Sequence, residues 1–103
     1  MSLNAAKKKH FRSIGHNLNP VVIVADKGLT DSVIEETLRA LNDHELIKVK
    51  LAIGDREIRQ QVISNLISAT NADLIQTIGK VALLFKAADK PNPALSNLMR
   101  VQG

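Results

Sequence analysis

Cysteine, tryptophan and tyrosine are absent from this chain, and Phe11 and Phe85 are its only aromatic residues apart from histidine. Without cysteine there is no disulfide, no thiolate metal site and no thiol nucleophile, which fits a reducing compartment and sets the expectation of a cytoplasmic protein. So few aromatic rings argue against a sheet face that stacks bases on aromatic side chains. The core has to be aliphatic, and with 45% apolar residues in 103 the chain has enough for one small domain. No apolar run approaches the ~20 residues of a membrane span. The N-terminal lysines are not followed by the apolar segment of a secretory signal, so no membrane partner is expected.

Signatures of catalysis are missing too. The sequence has no Walker loop, no GxGxxG and no readable Ser-His-Asp arrangement. His10 and His16 are six apart on a helix and point to different sides, and His44 stands between Asp43 and Glu45 in a polar break, where a local hydrogen bond is its expected use. No pair of histidines has ligand spacing. Glu35, Glu36, Asp55 and Glu57 fall in helix first turns or on polar helix faces, where capping and the helix dipole account for them. No metal, cofactor, small-molecule substrate or enzymatic activity is therefore expected.

Acidic residues are also missing from the first 19 positions, which hold Lys7, Lys8, Lys9 and Arg12. The remaining residues balance ten basic against ten acidic side chains, so the whole net charge of +4 sits at the N-terminal end. Such asymmetry suits a polyanionic partner touching that end, or a solvated lysine face.

The apolar periodicity changes along the chain. Leu3 to Leu18 reads as a helix capped by Asn4, with Phe11, Ile14 and Leu18 on one stripe and Lys8, Arg12 and His16 on a ridge beside it. Gly15 in its last turn implies either close packing or fraying. Pro20 opens a β-branched strand, Val21 to Val24, followed by a four-residue loop (Ala25, Asp26, Lys27, Gly28) and an amphipathic helix capped by Thr30 and reaching Leu41. A lysine–glycine turn at a helix start can present backbone N–H groups to phosphate, and is equally an ordinary connection. Asn42-Asp43-His44 reads as a break, and Glu45 to Ile53 as a strand with Lys48 and Lys50 on one face. A third helix over 56–69 is capped by Asp55, and strands over 74–78 and 81–86 form a hairpin around Gly79-Lys80. The order α-β-α-β-α-β-β implies an α+β domain with a mixed four-stranded sheet and helices packed on it, its strand order left open. Residues 87–103, with Pro91 and Pro93, read as an irregular or loosely docked tail with a turn of helix near Ala94 to Val101. If they converge, Lys7, Lys8, Lys9, Arg12, His16, Lys27, Lys48, Lys50, Arg56 and Arg59 make a surface suited to a phosphate backbone.

His16-Asn17-Leu18-Asn19-Pro20, Gly28-Leu29-Thr30, the block His44 to Lys50 (HELIKVK), Asp55-Arg56-Glu57 and Gln76 to Lys80 (QTIGK) together resemble the CRM domain (chloroplast RNA splicing and ribosome maturation), in its small stand-alone bacterial YhbY-type form. The resemblance runs from Leu3 to Lys86, making 1–86 the expected RNA-binding domain and 87–103 its tail. It implies a two-layer fold similar to the C-terminal domain of translation initiation factor 3. It also implies a non-catalytic, monomeric protein that binds rRNA in precursors of the large ribosomal subunit during ribosome assembly. The family's strand-to-helix loop is a GxxG loop, like that of KH domains. This chain departs from it with Ala25 in the first glycine position and Asp26 after it, retaining Lys27 and Gly28. Phe85-Lys86 stands where relatives often carry Tyr-Arg. The RNA contacts implied are Lys7, Lys8, Lys9, Arg12, His16, Ala25, Asp26, Lys27, Gly28, Lys48, Lys50 and Arg56. The alternative is a protein–protein adaptor that docks on a ribosomal protein or assembly factor through Leu95, Leu98 and Met99.

Overall fold

A computed structural model describes residues 3–100. The elements follow the expected order: α1 (Ala5–Gly15), β1 (Pro20–Val24), α2 (Asp31–His44), β2 (Leu46–Leu51), α3 (Arg56–Thr70), β3 (Asp73–Ile78) and β4 (Val81–Phe85), with a four-residue α4 (Asn97–Arg100) added at the end. Each of the three long helices opens where its cap was legible. Asn4, Thr30 and Asp55 accept from the backbone N–H of Lys7, Val33 and Ile58, satisfying donors that have no partner inside the helix.

The sheet order is β1-β2-β4-β3. β1 and β2 are parallel, joined by the α2 crossover, while β4 runs antiparallel to both β2 and β3. α3 carries the chain from β2 past a vacant strand position to β3, and β4 turns back through Gly79-Lys80 to fill it. Gly79 makes this two-residue turn at φ +56°, a left-handed value that glycine adopts without Cβ strain.

Alternation along the strands divides the core in two. Val22, Val24, Ile47, Val49, Leu51, Ala82 and Leu84 point to one face and pack against Leu41 of α2 and Ile63 and Leu66 of α3. Leu46, Ile75 and Leu83 point to the other, where Phe11 and Ile14 of α1 cover them. α2 and α3 close one face of the sheet and α1 lies across part of the other. Gly15 shows why α1 can lie so close. A Cβ built there would meet the Leu83 side chain at 2.6 Å, so close packing rather than fraying accounts for this glycine.

Two boundaries differ from expectation at one corner. Asn42, Asp43 and His44 continue α2 instead of breaking it, and Glu45 ends it at φ +62° rather than starting β2. Glu45 is buried, and its carboxylate accepts from the Ser96 hydroxyl at 2.8 Å and the Ala88 N–H at 3.0 Å. The Lys86 N–H donates to its carbonyl, Asn97 Nδ2 donates to the Leu46 carbonyl at 2.6 Å, and His44 Nδ1 lies 2.9 Å from the Leu95 carbonyl. Residues 86–98 are thus bonded to the α2–β2 corner, where a loosely docked tail was an option. Leu98 packs with the α1 cluster. The hydrogen bond of His44 is long-range rather than local because the tail, not its own turn, supplies the acceptor. The helical turn expected up to Val101 is α4, and Val101 itself lies outside the described residues.

Candidate nucleic-acid interface

α1 covers only the end of its sheet face near Leu46 and Phe85, because it is short and crosses the strands instead of running along them. The uncovered remainder is a pleated surface with a helix as one wall. Its residues follow from register. Pro20 pairs with Lys48, Lys48 with Leu83 and Leu83 with Gln76, while in the next row Ile23 pairs with Lys50, Lys50 with Val81 and Val81 with Ile78. Since side chains alternate across a strand, both rows point to this one face.

Between α1 and the first row lies an open groove of about 1040 Å³. Lys9, Arg12, Ser13 and His16 line it from the helix, Lys48 and Gln76 from the sheet, and Asn17 to Pro20 from the connection between them. Its floor is Leu83, Val81 and Ile78. The lining holds lysine, arginine and histidine but no acid. Among the described residues, the side chains of Lys9, Arg12, Lys48 and Lys50 enter no ion pair or hydrogen bond. Their positive potential is therefore not cancelled locally.

The expected contact residues divide by position. Lys9, Arg12, His16 and Lys48 are brought together in the groove, and Lys50 lies one row further on the same face. Lys8 is half-buried on the helix beside Arg12. Lys7 is exposed about 140° round the helix from Arg12 and does not line the groove. The Ala25–Gly28 loop and Arg56 lie at the opposite end of the sheet from the part that α1 covers, where β1 and β2 finish. The loop is a tight turn in which the Gly28 N–H donates to the Ala25 carbonyl at 2.9 Å and Gly28 sits at φ +76°. Ala25, Asp26 and Lys27 are exposed, so the carboxylate of Asp26 stands beside the ammonium of Lys27 on the same turn. Arg56 is exposed at the start of α3. Arg59 is spent internally: its Nη1 donates to the Ile53 carbonyl at 2.8 Å and lies 3.4 Å from that of Gly54, holding the β2–α3 turn.

Sequence reasoning missed the apolar side chains of the open face. Ile23 and Ile78 are exposed on it to 60% and 66%. The signal was available in the alternation of β1, where Val22 and Val24 take the core and leave their neighbours outside. Of the tail residues held out for an adaptor, Leu98 faces the α1 core, Leu95 is exposed, and the side chain of Met99 lies outside the described part of the structure. No three His, Asp or Glu residues gather as a metal site among the described residues, and no described helix is long and apolar enough to cross a membrane.

The model of the CRS1/YhbY (CRM) domain matches residues 3–86, which includes every wall of the groove and the Ala25–Gly28 loop. The chain belongs to this family. A Pseudomonas aeruginosa protein named a probable RNA-binding protein is 52% identical over 103 residues, covering all of this chain and 99% of its own. An RNA-binding protein of Haemophilus influenzae is 40% identical over 89 residues, 86% of this chain and 90% of its own. The solution structure of a candidate RNA-binding protein of Staphylococcus aureus superposes with a TM-score of 0.75 at 25% identity, over 86% of this chain and 93% of that one.

Proposed function

We propose that this CRM protein binds RNA without catalysing a reaction. Its proposed target is rRNA in precursors of the large ribosomal subunit, which it joins in the cytoplasm as a monomer during ribosome assembly. The observation that carries the reading is the convergence of Lys9, Arg12, His16 and Lys48 on one acid-free groove, in a chain whose relatives are named RNA-binding proteins. Lys9, Arg12 and Lys48, uncompensated by local carboxylates, suit a phosphate backbone, and exposed phosphates are abundant in precursor rRNA. Lys50 and the Ala25–Gly28 loop extend the surface away from α1. The adaptor reading loses ground because Leu98, one of its three anchors, packs inside the domain.

Gradient sedimentation of cell extracts tests the assembly role. Wild-type protein is expected in fractions holding large-subunit precursors, with crosslinks to rRNA from the groove. The Arg12→Gln/Lys48→Gln variant is expected near the top of the gradient. Equal co-sedimentation of folded variant and wild type would remove the groove from the account.

A further inference from the structure

The groove's charges explain attraction to any nucleic acid, but its floor is apolar. Ile23 and Ile78 are large aliphatic side chains left exposed on this face, and Val81 lies between them in the row Ile23–Lys50–Val81–Ile78. They stand in one band across all four strands, with Lys50 within it and Lys48 in the neighbouring row toward α1. We propose that this band is a platform for the bases of unpaired RNA, so that the protein selects single-stranded or looped segments over double helix. The inference rests on the RNA-binding reading and adds the class of RNA.

The argument is one of complementary surfaces. A base-paired helix offers phosphates, sugars and hydroxyls, and its base faces are hidden in the stack. Against such a surface the cations would gain but the aliphatic band would gain nothing. An unpaired nucleotide offers a phosphate and a flat apolar base face together, and here Lys50 stands between Ile23 and Val81 in one row. Exposed platforms that bind single strands commonly use aromatic rings. On this face Phe85 packs against Phe11 beneath α1, so apolar contact with Ile23, Val81 and Ile78 takes the place of stacking. A protein partner fits less well, since the centres of protein interfaces are depleted of lysine and here Lys50 stands within the band and Lys48 beside it.

The test uses the full-length protein and a labelled mixed-sequence RNA of about a dozen nucleotides, alone and annealed to its complement. Wild type is expected to bind the single strand roughly tenfold more tightly than the duplex at equal salt. Ile78→Ser and Ile23→Ser change exposed side chains and should melt as wild type does. Each is expected to weaken single-strand binding by roughly five- to tenfold while leaving duplex binding and the salt dependence unchanged. Duplex binding equal to or tighter than single-strand binding would overturn the proposal. So would serine variants that bind the single strand normally, a result that would leave the band to a protein partner. Failure to bind either form would instead overturn the RNA-binding reading beneath it.

Discussion

Replacing Gly15 by alanine probes what holds the basic wall of the groove in place. A methyl group there would sit 2.6 and 2.8 Å from the two Leu83 methyls and 3.3 Å from its Cγ. Ordinary carbon contacts lie at about 3.5–4.0 Å, so the overlap is about 1 Å. Leu83 is buried among Phe11, Ile14, Leu46 and Ile75 and cannot swing into solvent. Either it changes rotamer against those neighbours or α1 lifts from β4, and overpacking of this kind costs about 1–3 kcal/mol. Alanine returns up to about 1 kcal/mol in a helix by limiting the unfolded chain. The expected net loss is about 1–2 kcal/mol, which for a domain of this size lowers Tm by about 5–15 °C. Leu83→Val in the same molecule relieves the clash, so the double variant should lose less than the sum of the two single variants, a coupling readable in a double-mutant cycle. If Gly15→Ala instead raised stability by the full helix-propensity gain, α1 would not be seated by this contact. The groove wall would then have another origin.

Four further outcomes are expected. Ser96→Ala removes a donor from the buried Glu45 carboxylate and should cost about 2 kcal/mol in denaturant unfolding; an unchanged midpoint would mean that the tail is not latched there. Gly28→Ala meets no atom within 4 Å, so its cost comes from the φ of +76° alone, about 1 kcal/mol by thermal denaturation. No loss would argue against the left-handed turn. Lys9→Ala should weaken RNA binding more than Lys7→Ala, because Lys9 lines the groove and Lys7 faces away; equal effects would point to nonspecific attraction by the helix as a whole. Arg59→Ala should lower stability with little change in RNA affinity, since its guanidinium holds the Ile53–Gly54 turn.

Most of the fold was legible because it depends on local rules. Three caps were read from Asn4, Thr30 and Asp55, and period changes located every strand. The α2–β2 corner was not legible, because Asn42-Asp43-His44 looks like a break to any local rule. What makes it helical is tertiary. Glu45 leaves the helix in a left-handed conformation, and that backbone cost is offset by bonds to Ser96 and Ala88, some 40 to 50 residues away in sequence. The basic half of the groove was legible as a list of residues but not as a place. Lys9 and Arg12 meet Lys48 only because α1 crosses the sheet face opposite α2 and α3, a matter of packing that periodicity within each element does not contain. The apolar half was hidden for the opposite reason: Ile23 and Ile78 sit in strands whose β-branched composition is already explained by strand formation.

The central claim is that Lys9, Arg12, Lys48 and Lys50 act together on one RNA backbone, and salt titration tests it most directly. Four phosphate contacts to a single strand give a slope of log K against log salt of about −3, each contact contributing about −0.7. Arg12→Gln/Lys48→Gln, from facing walls of the groove, should flatten that slope by about 1.4 and weaken binding most at low salt. A folded double variant with the wild-type slope would contradict the account.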